Sequence, residues 1–387
     1  MGLRIMTIYG TRPEAIKVAP IIKAIESADD LESVTVVTGQ HREMLDQVNT
    51  MFGITPDHDL NIMSNGQSLN GIVAKVISGV DEVLRAEEPD AVIVQGDTST
   101  VMGAAVSAFN RQVPVLHLEA GLRSGDINSP FPEEANRKLT SQIAALHLAP
   151  TSTSKANLTR EAVSETDIVV TGNSVIDTLM YATENLEVHF EDERLEALQA
   201  GKTAGTAGRV LLVTAHRREN LGSAMEDIGA GVAEIARKYP DLTVVFPIHR
   251  NPEVRAAIRP AVEGLENVVL TEPLPYAAFT RILSLADIVL TDSGGVQEEA
   301  PSLGKPVLVM RENTERPEAV VAGTVKLIGT HSQRLIDEVS LLLDSEEAYA
   351  GMANAVNPYG DGAAAGRTVG AIRWKFMGGS RPADFGA

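Results

Sequence analysis

Short apolar, β-branched runs alternate with longer amphipathic stretches along almost the whole chain, and runs such as Ala91-Val92-Ile93-Val94 are apolar at every position. Together these predict an α/β protein of two Rossmann-like domains, whose strands are covered by helices on both sheet faces. The third observation is compositional. Between Glu184 and Gly208 the sequence turns charged and rich in Gly, Ala and Thr, and a second set of apolar runs follows it. In the first half, strands are expected at Ile5–Tyr9, Val34–Thr38, Ala91–Gln95, Val115–Leu118, Leu146–Ala149 and Ile168–Val170. Helices are expected from about Glu14, Arg42, Ser68, Thr98, Glu133 and Thr153. In the second half, strands are expected at Val210–Thr214, Thr243–Pro247, Val268–Thr271, Ile288–Thr291 and Pro306–Met310, separated by helix-length stretches. The run Asn357–Gly362 breaks the chain, and Ala363–Phe376 is suited to one last helix. The expected division is residues 1–172, 173–362, and a helix and tail at 363–387.

A chain of 387 residues exceeds one usual core, in keeping with two domains. With 33 Lys and Arg against 52 Asp and Glu, the formal net charge is −19, which argues against a general nucleic-acid or anionic-membrane surface. Any anionic substrate must therefore be met by a few local basic groups. The absence of cysteine removes disulfides, thiolate metal sites and a Cys nucleophile, and fits a cytoplasmic location. A strand-like run at Ile5–Tyr9, followed by polar residues, gives no sign of a signal peptide or membrane span.

Residues 288–299 read Ile-Val-Leu-Thr-Asp-Ser-Gly-Gly-Val-Gln-Glu-Glu, an apolar strand, a Ser293-Gly294-Gly295 turn and a helix start. Glycines let backbone amides approach a ligand, and a helix N-terminus favours phosphate, so this is an anion seat at the carboxyl end of a strand. The alternative is a tight turn with Ser293 as an ordinary N-cap. A second strand-end loop, Gly10–Lys17, offers Arg12 and Lys17 as cationic donors, or else a capped helix with solvated charges. It lacks the Gly-x-Gly-x-x-Gly spacing of a dinucleotide fingerprint, and no cofactor is implied.

Carboxylates gather at neighbouring strand ends. Asp97 follows Gln95-Gly96, Glu119 follows His117-Leu118, and Glu133 opens the next helix. Parallel strand ends converge on one crevice, and grouped carboxylates raise one another's proton affinity toward the range useful for acid–base work. Asp97 and Glu133 also have a capping reading at helix starts. Glu119 has none. His216, with Arg217 and Arg218, and His249 occupy successive strand ends of the second half, where loop histidines either act or are simply exposed. His117 and Glu119 alternate on one strand, but no third ligand stands at a supporting spacing, and no metal site is predicted.

The motifs Gly10–Lys17, Gln40–Gln47, Gly96–Thr98, His117–Arg123, Phe131–Arg137, Thr214–Asn220, Asp292–Glu299 and Glu315–Glu318, spread from residue 4 to about 376, closely resemble those of the non-hydrolysing UDP-N-acetylglucosamine 2-epimerases. The resemblance implies a GT-B architecture, with two Rossmann-like domains, the active site in the cleft between them and a last helix crossing back to the first. It implies a cytoplasmic homodimer that interconverts UDP-N-acetylglucosamine and UDP-N-acetylmannosamine for surface polysaccharide synthesis. UDP is eliminated across C1–C2 to give 2-acetamidoglucal and is then added back. On this resemblance Asp97, Glu119, Glu133 and His216 are catalytic, with Asp97 and Glu119 the favoured acid–base pair. Ser293 and Gly294 match the diphosphate seat, with Gly295 beside them. Glu299 matches the ribose anchor, Phe279 the uracil site, and Arg12, Lys17 and Arg316 the charge-neutralising positions. Some bacterial members bind a second UDP-N-acetylglucosamine as activator. Gln40, Glu133, Arg217 and His249 match that site, while Glu43 and Gly66 stand where some activated members carry Gln and Arg. A glycosyltransferase, a hydrolysing epimerase and a catalytically silent sugar-nucleotide sensor are the rival readings.

Overall fold

The computed structural model describes residues 2–39, 42–63 and 66–386, the side chains of residues 42–44 excepted. It divides into two compact units, Met1–Thr178 with Tyr359–Ala387, and Leu179–Pro358. The first unit holds strands β1 (Leu3–Tyr9), β2 (Leu31–Val37), β3 (His58–Asp59), β4 (Ala91–Gln95), β5 (Val115–Leu118), β6 (Leu146–Ala149) and β7 (Ile168–Val170). The second holds β8 (Val210–Thr214), β9 (Thr243–Pro247), β10 (Val268–Thr271), β11 (Ile288–Thr291), β12 (Val307–Val309) and β13 (Val325–Leu327). The sheet orders are β3-β2-β1-β4-β5-β6-β7 and β10-β9-β8-β11-β12-β13, with every named pair parallel. Both units are Rossmann-like. Each sheet reverses its order once, between β1 and β4 in one and between β8 and β11 in the other, and it is beyond the carboxyl ends at such a reversal that open sheets take ligands.

The all-apolar strands are buried because helices cover both faces. Every residue of β4 is buried, and the helices Leu69–Glu87 and Ser99–Asn110 pack beside it through Val76, Val80, Val101, Ala104 and Ala108. Phe246, Ile228, Val232 and Leu290 anchor the equivalent core of the second unit. Every expected strand is present. Two edge strands, β3 and β13, were not expected: they are short and read His-Asp and Val-Lys-Leu, without the all-apolar run that marks the similarly short β7 and β12.

The helix Val175–Asn185 begins in the first unit, which moves its boundary from the expected 172 to 178. Ser174 donates to Lys17 O and Thr178 donates to Ile16 O, so the first turn of this helix is tied to the helix Arg12–Glu26. The later boundary lies at 358 rather than 362, because Tyr359 O accepts from Asn173 N at 2.7 Å. Asp177 caps the last helix, Ala364–Met377, by accepting from Ala364 N and Ala365 N at 3.2 and 2.8 Å. Among the described residues, no helix is long and apolar enough to cross a membrane.

Two histidines lie inside the first sheet. His117 on β5 and His147 on β6 are register partners, 0% and 1% exposed, and burial pushes their pKa values down to about 3 and about 4. Each stays neutral in the native protein while its unfolded counterpart takes up a proton near pH 6.5, so stability is lost as pH falls below that value. At pH 5 each costs about 2 kcal/mol. The stability of wild type minus that of a His147→Gln variant, from urea titrations, is expected to fall by about this amount between pH 7 and pH 5. A difference that stays flat would show that His147 does not enter the native state neutral.

Candidate active site

In the first unit the order reversal brings together the loops after β1 and β4, with the loop after β5 next to them. Thr11 caps the helix Arg12–Glu26 in a capping box with Glu14. Glu14 is 2% exposed and accepts from Gly10 N at 2.6 Å, Thr11 N at 2.9 Å and the Thr98 hydroxyl at 2.5 Å, so it ties the β1 loop to the β4 loop. Burial raises its pKa, against the pull of those three hydrogen bonds. The Gly10 and Thr11 amides are therefore occupied internally.

Asp97 does not cap the helix Ser99–Asn110; Thr98 does, accepting from Val101 N. The Asp97 carboxylate is left for other partners. Its Oδ2 accepts from Arg137 Nη1 at 2.7 Å, and its backbone O accepts from Asn136 Nδ2 at 2.8 Å. Burial raises its pKa, Glu133 and Glu134 add to the effect, and Arg137 and Lys17 oppose it. Glu119 follows β5 in a left-handed conformation, φ +62°, which a non-glycine residue adopts only when the surroundings hold it there. Lys17 donates to Glu119 Oε1, and Gln95 Nε2 donates to Oε2 at 2.5 Å. Gly96, φ +81°, passes beneath: a Cβ there would lie 3.6 Å from Glu119 Oε2, in a backbone conformation that side chains avoid. Lys17 is thus not a solvated charge: it is 17% exposed and pairs with Glu119. Glu133 is half-buried at the first position of the helix Glu133–Ile143 and makes no side-chain ion pair or hydrogen bond to a described residue. The same is true of the Arg12 guanidinium at the start of its helix.

In the second unit the reversal between β8 and β11 brings His216 and Asp292 together. Asp292 is 0% exposed. It accepts from His216 Nδ1 at 3.0 Å, from the His216 and Arg217 amides at 2.9 Å each, and from Asn220 Nδ2 at 3.1 Å. Burial pushes its pKa up, but His216 and those amides together outweigh burial and hold it below the usual carboxylate range. With Nδ1 fixed on a buried carboxylate, His216 presents Nε2 outward from a side chain that is 39% exposed. The His249 ring lies 5.9 Å from it, and burial together with His216 lowers the pKa of His249. Arg217 donates from Nε to Asp292 O at 3.2 Å.

Ser293 stands at the N-cap of the short helix Gly294–Glu299, but its side chain makes no capping hydrogen bond. The two glycines differ. A Cβ at Gly294 would lie 2.7 Å from Arg316 Nη1 and 2.8 Å from Cζ, so the guanidinium rests directly on that backbone. A Cβ at Gly295 would meet nothing nearer than Glu299 Oε2 at 4.0 Å. Arg316 is held there by Glu298, 2.7 Å from its Nε. Gln297, fully buried, joins Ser293 O to the Thr314 hydroxyl at 3.1 and 2.7 Å. Glu299 accepts from the Tyr276 hydroxyl at 2.9 Å, and half-buried Phe279 lies one turn along the same helix, Tyr276–Leu285.

Asp97, Glu119 and Lys17 thus meet in the first unit, and Ser293, Gly294, Glu299 and Arg316 in the second, beside the pair His216 and His249. Gln40 lies outside the described residues, as does the side chain of Glu43. Arg137, Glu134, Asp292, Tyr276 and Glu298 were not singled out as site residues from sequence. All but Tyr276 fall inside the motifs named above, and the spacing of Glu134 and Arg137 by three on one helix was the signal available for that pair.

The family model for UDP-N-acetylglucosamine 2-epimerase matches residues 23–373. The UDP-N-acetylglucosamine 2-epimerase of Yersinia pestis is 48% identical over 371 residues, 96% of this chain and 98% of the relative. The solved structure of the Neisseria meningitidis UDP-GlcNAc 2-epimerase bound to UDP-GlcNAc is 46% identical, with a TM-score of 0.82 over 96% of this chain and 99% of that one. That of S. aureus MnaA with UDP is 44% identical, with a TM-score of 0.84 over 99% and 100%. Paired parallel-sheet units of this kind are the GT-B architecture. Family model, relatives and fold agree over almost the full length, and the chain belongs to the UDP-N-acetylglucosamine 2-epimerase family.

Proposed function

We propose that the chain interconverts UDP-N-acetylglucosamine and UDP-N-acetylmannosamine by elimination and re-addition of UDP, without a cofactor. The observation that carries the reading is the pair of carboxylates at adjoining strand ends, Asp97 and Glu119, each held against its own cation, Arg137 and Lys17. The C2 hydrogen of the sugar is too weakly acidic for simple removal. One carboxylate takes that proton as the C1–O bond to UDP breaks, leaving a C1–C2 double bond. The other then delivers a proton to C2 from the opposite face while a β-phosphate oxygen re-forms the bond to C1. Glu133, beside Asp97 and free of partners among the described residues, supports this exchange.

The second unit holds the leaving group. The Ser293–Gly295 amides and Arg316 receive the diphosphate, Glu299 and Tyr276 hold the ribose, and Phe279 meets the uracil. His216, oriented by Asp292, steadies the diphosphate or relays a proton. The UDP-GlcNAc bound by the Neisseria structure and the UDP bound by that of S. aureus support UDP-N-acetylglucosamine as the substrate. Of the residues that the resemblance matches to a second, activating sugar nucleotide, Glu133, Arg217 and His249 are described, the last two beside His216. A cytoplasmic homodimer feeding surface polysaccharide synthesis is the setting that the resemblance supports.

The test is incubation with UDP-N-acetylglucosamine in deuterated water, followed by NMR at C1 and C2. Both epimers are expected, each carrying deuterium at C2. Substrate that stays protiated and unchanged sinks the reading. Free N-acetylmannosamine with UDP would reassign the chain to hydrolysis, and a C2 hydrogen retained during transfer of the sugar would reassign it to glycosyl transfer.

A further inference from the structure

Asp97 shares its arginine. Arg137 gives Nη1 to Asp97 Oδ2 at 2.7 Å and Nε to Glu134 Oε2 at 2.9 Å. The Glu134 side chain is 0% exposed, and its oxygens also accept from the Ser124 and Gly125 amides at 3.2 and 3.4 Å. Burying a carboxylate costs several kcal/mol, and here its two oxygens serve three donors: Oε2 takes Arg137 Nε and Ser124 N, and Oε1 takes Gly125 N. One of those donors is a guanidinium whose other edge reaches an acid–base residue, so the same buried charge that ties down the 124–125 backbone also aims Arg137.

The geometry points to Glu134 as a positioning residue for proton transfer at Asp97: by binding the Nε edge of Arg137 it fixes Nη1 on Asp97 and leaves that carboxylate only partly neutralised, ready to take up and return a proton. The inference rests on the C2 epimerisation reading above. It separates two adjacent glutamates by role, because Glu133 is half-buried at the helix start, whereas Glu134, one residue on, turns inward against the 124–125 backbone.

The charged groups facing Asp97 are Lys17 from the helix Arg12–Glu26 and Glu133, Glu134 and Arg137 from the helix Glu133–Ile143, with Glu14 coupled to it through Thr98. Burial holds the Asp97 carboxyl up most, and the two glutamates reinforce this against Arg137 and Lys17. Neutralising Glu134 acts twice in one direction: a like charge is lost, and Arg137 is released wholly to Asp97. Both favour ionised Asp97 and weaken its hold on a proton.

The experiment follows Asp97 directly, by NMR titration of full-length protein labelled at aspartate 13Cγ, with Asp97→Asn identifying the resonance. In Glu134→Gln the Asp97 midpoint is expected to move to lower pH, while Glu134→Asp, which keeps the charge, stays near wild type. Turnover of UDP-N-acetylglucosamine by Glu134→Gln is expected to fall roughly tenfold with KM little changed, and the limb of its pH profile that follows Asp97 to move with the midpoint. Lost turnover with an unmoved midpoint would make Glu134 a purely structural residue and overturn the proposal. Should Glu134→Gln fail to fold, Arg137→Lys decides, since an ammonium cannot span both carboxylates: an unmoved Asp97 midpoint there overturns the proposal equally. Wild type that converts no UDP-N-acetylglucosamine would refute the epimerase reading, while the titration would still decide whether Glu134 governs Asp97.

Discussion

Replacing Asp292 with asparagine is expected to lower turnover on the order of a thousandfold and to destabilise the protein by about 3 kcal/mol. The reason lies in where the hydrogen bonds go. Asp292 is a wholly buried carboxylate that accepts the His216 Nδ1–H, two backbone amides and the Asn220 amide group. An asparagine of the same shape offers one acceptor oxygen and puts an NH2 group among donors, so at least one buried N–H loses its partner. The imidazole loses the carboxylate that fixes its tautomer and points Nε2 outward. Because the native carboxyl lies below its unfolded value, its stabilising contribution is complete above about pH 4 and is lost only as pH falls through the native value. The Asp292 share of the stability deficit of Asp292→Asn is therefore expected to shrink only as pH falls below about 4, under the window in which that of His147→Gln changes. Urea titrations at several pH values and kcat with UDP-N-acetylglucosamine check both parts. A variant that keeps a tenth or more of wild-type turnover would remove His216 and Asp292 from the reaction.

The strand ends were legible in the sequence because the strands were. Runs apolar at every position bounded by Gly, Asp or Ser fix both where a parallel strand stops and what stands at its tip, and the residues at those tips are the ones the structure gathers at the two order reversals. The illegible elements have little periodicity to offer. β3 and β13 are edge strands of two and three residues, and the helix Glu193–Ala204, inside the charged stretch after Glu184, buries only Leu195 and Leu198. Its ends carry the visible signals instead, Asp192 accepting from Arg194 N and Gly205 closing it at φ +70°.

Partnership within the site was harder to read than membership. Lys17 was expected to neutralise charge, but not that of Glu119, which lies 102 residues away and meets it because β1 and β5 both flank β4. Arg316 was expected at a phosphate. Its resting place on the Gly294 backbone, held by Glu298, follows from a contact that no sequence spacing encodes. Asp97 and Glu133 each had a capping role open to them, and in both cases the backbone has another solution: Thr98 caps one helix, and Pro132 precedes the other without a side-chain cap. Carboxylates relieved of capping are the ones left for chemistry.

Glu119→Gln is expected to all but abolish epimerisation at C2 while sparing UDP binding. The side chain is 11% exposed and sits on a backbone at φ +62°, with one oxygen on Lys17 and the other on Gln95. The backbone conformation, the glycine beneath and the two donors all fix the carboxylate in place, so a neutral isostere occupies the same volume but accepts no proton from carbon. It also leaves the Lys17 ammonium, 17% exposed, without the charge that offsets its desolvation, so a stability loss of about 1 to 3 kcal/mol accompanies the change. Turnover is expected to fall by a factor of roughly 100 to 10,000, the usual contribution of a positioned acid or base, and deuterium at C2 of the product epimer to fall with it. The UDP affinity measured by calorimetry should remain within about threefold of wild type, because the seat at Ser293–Gly295 belongs to the other unit of the chain. Full exchange and turnover in Glu119→Gln would transfer the proton chemistry to Asp97 and Glu133 alone. Exchange retained in one epimer without net epimerisation would show which face each carboxylate serves: Asp97 handles the proton of that epimer and Glu119 that of the other.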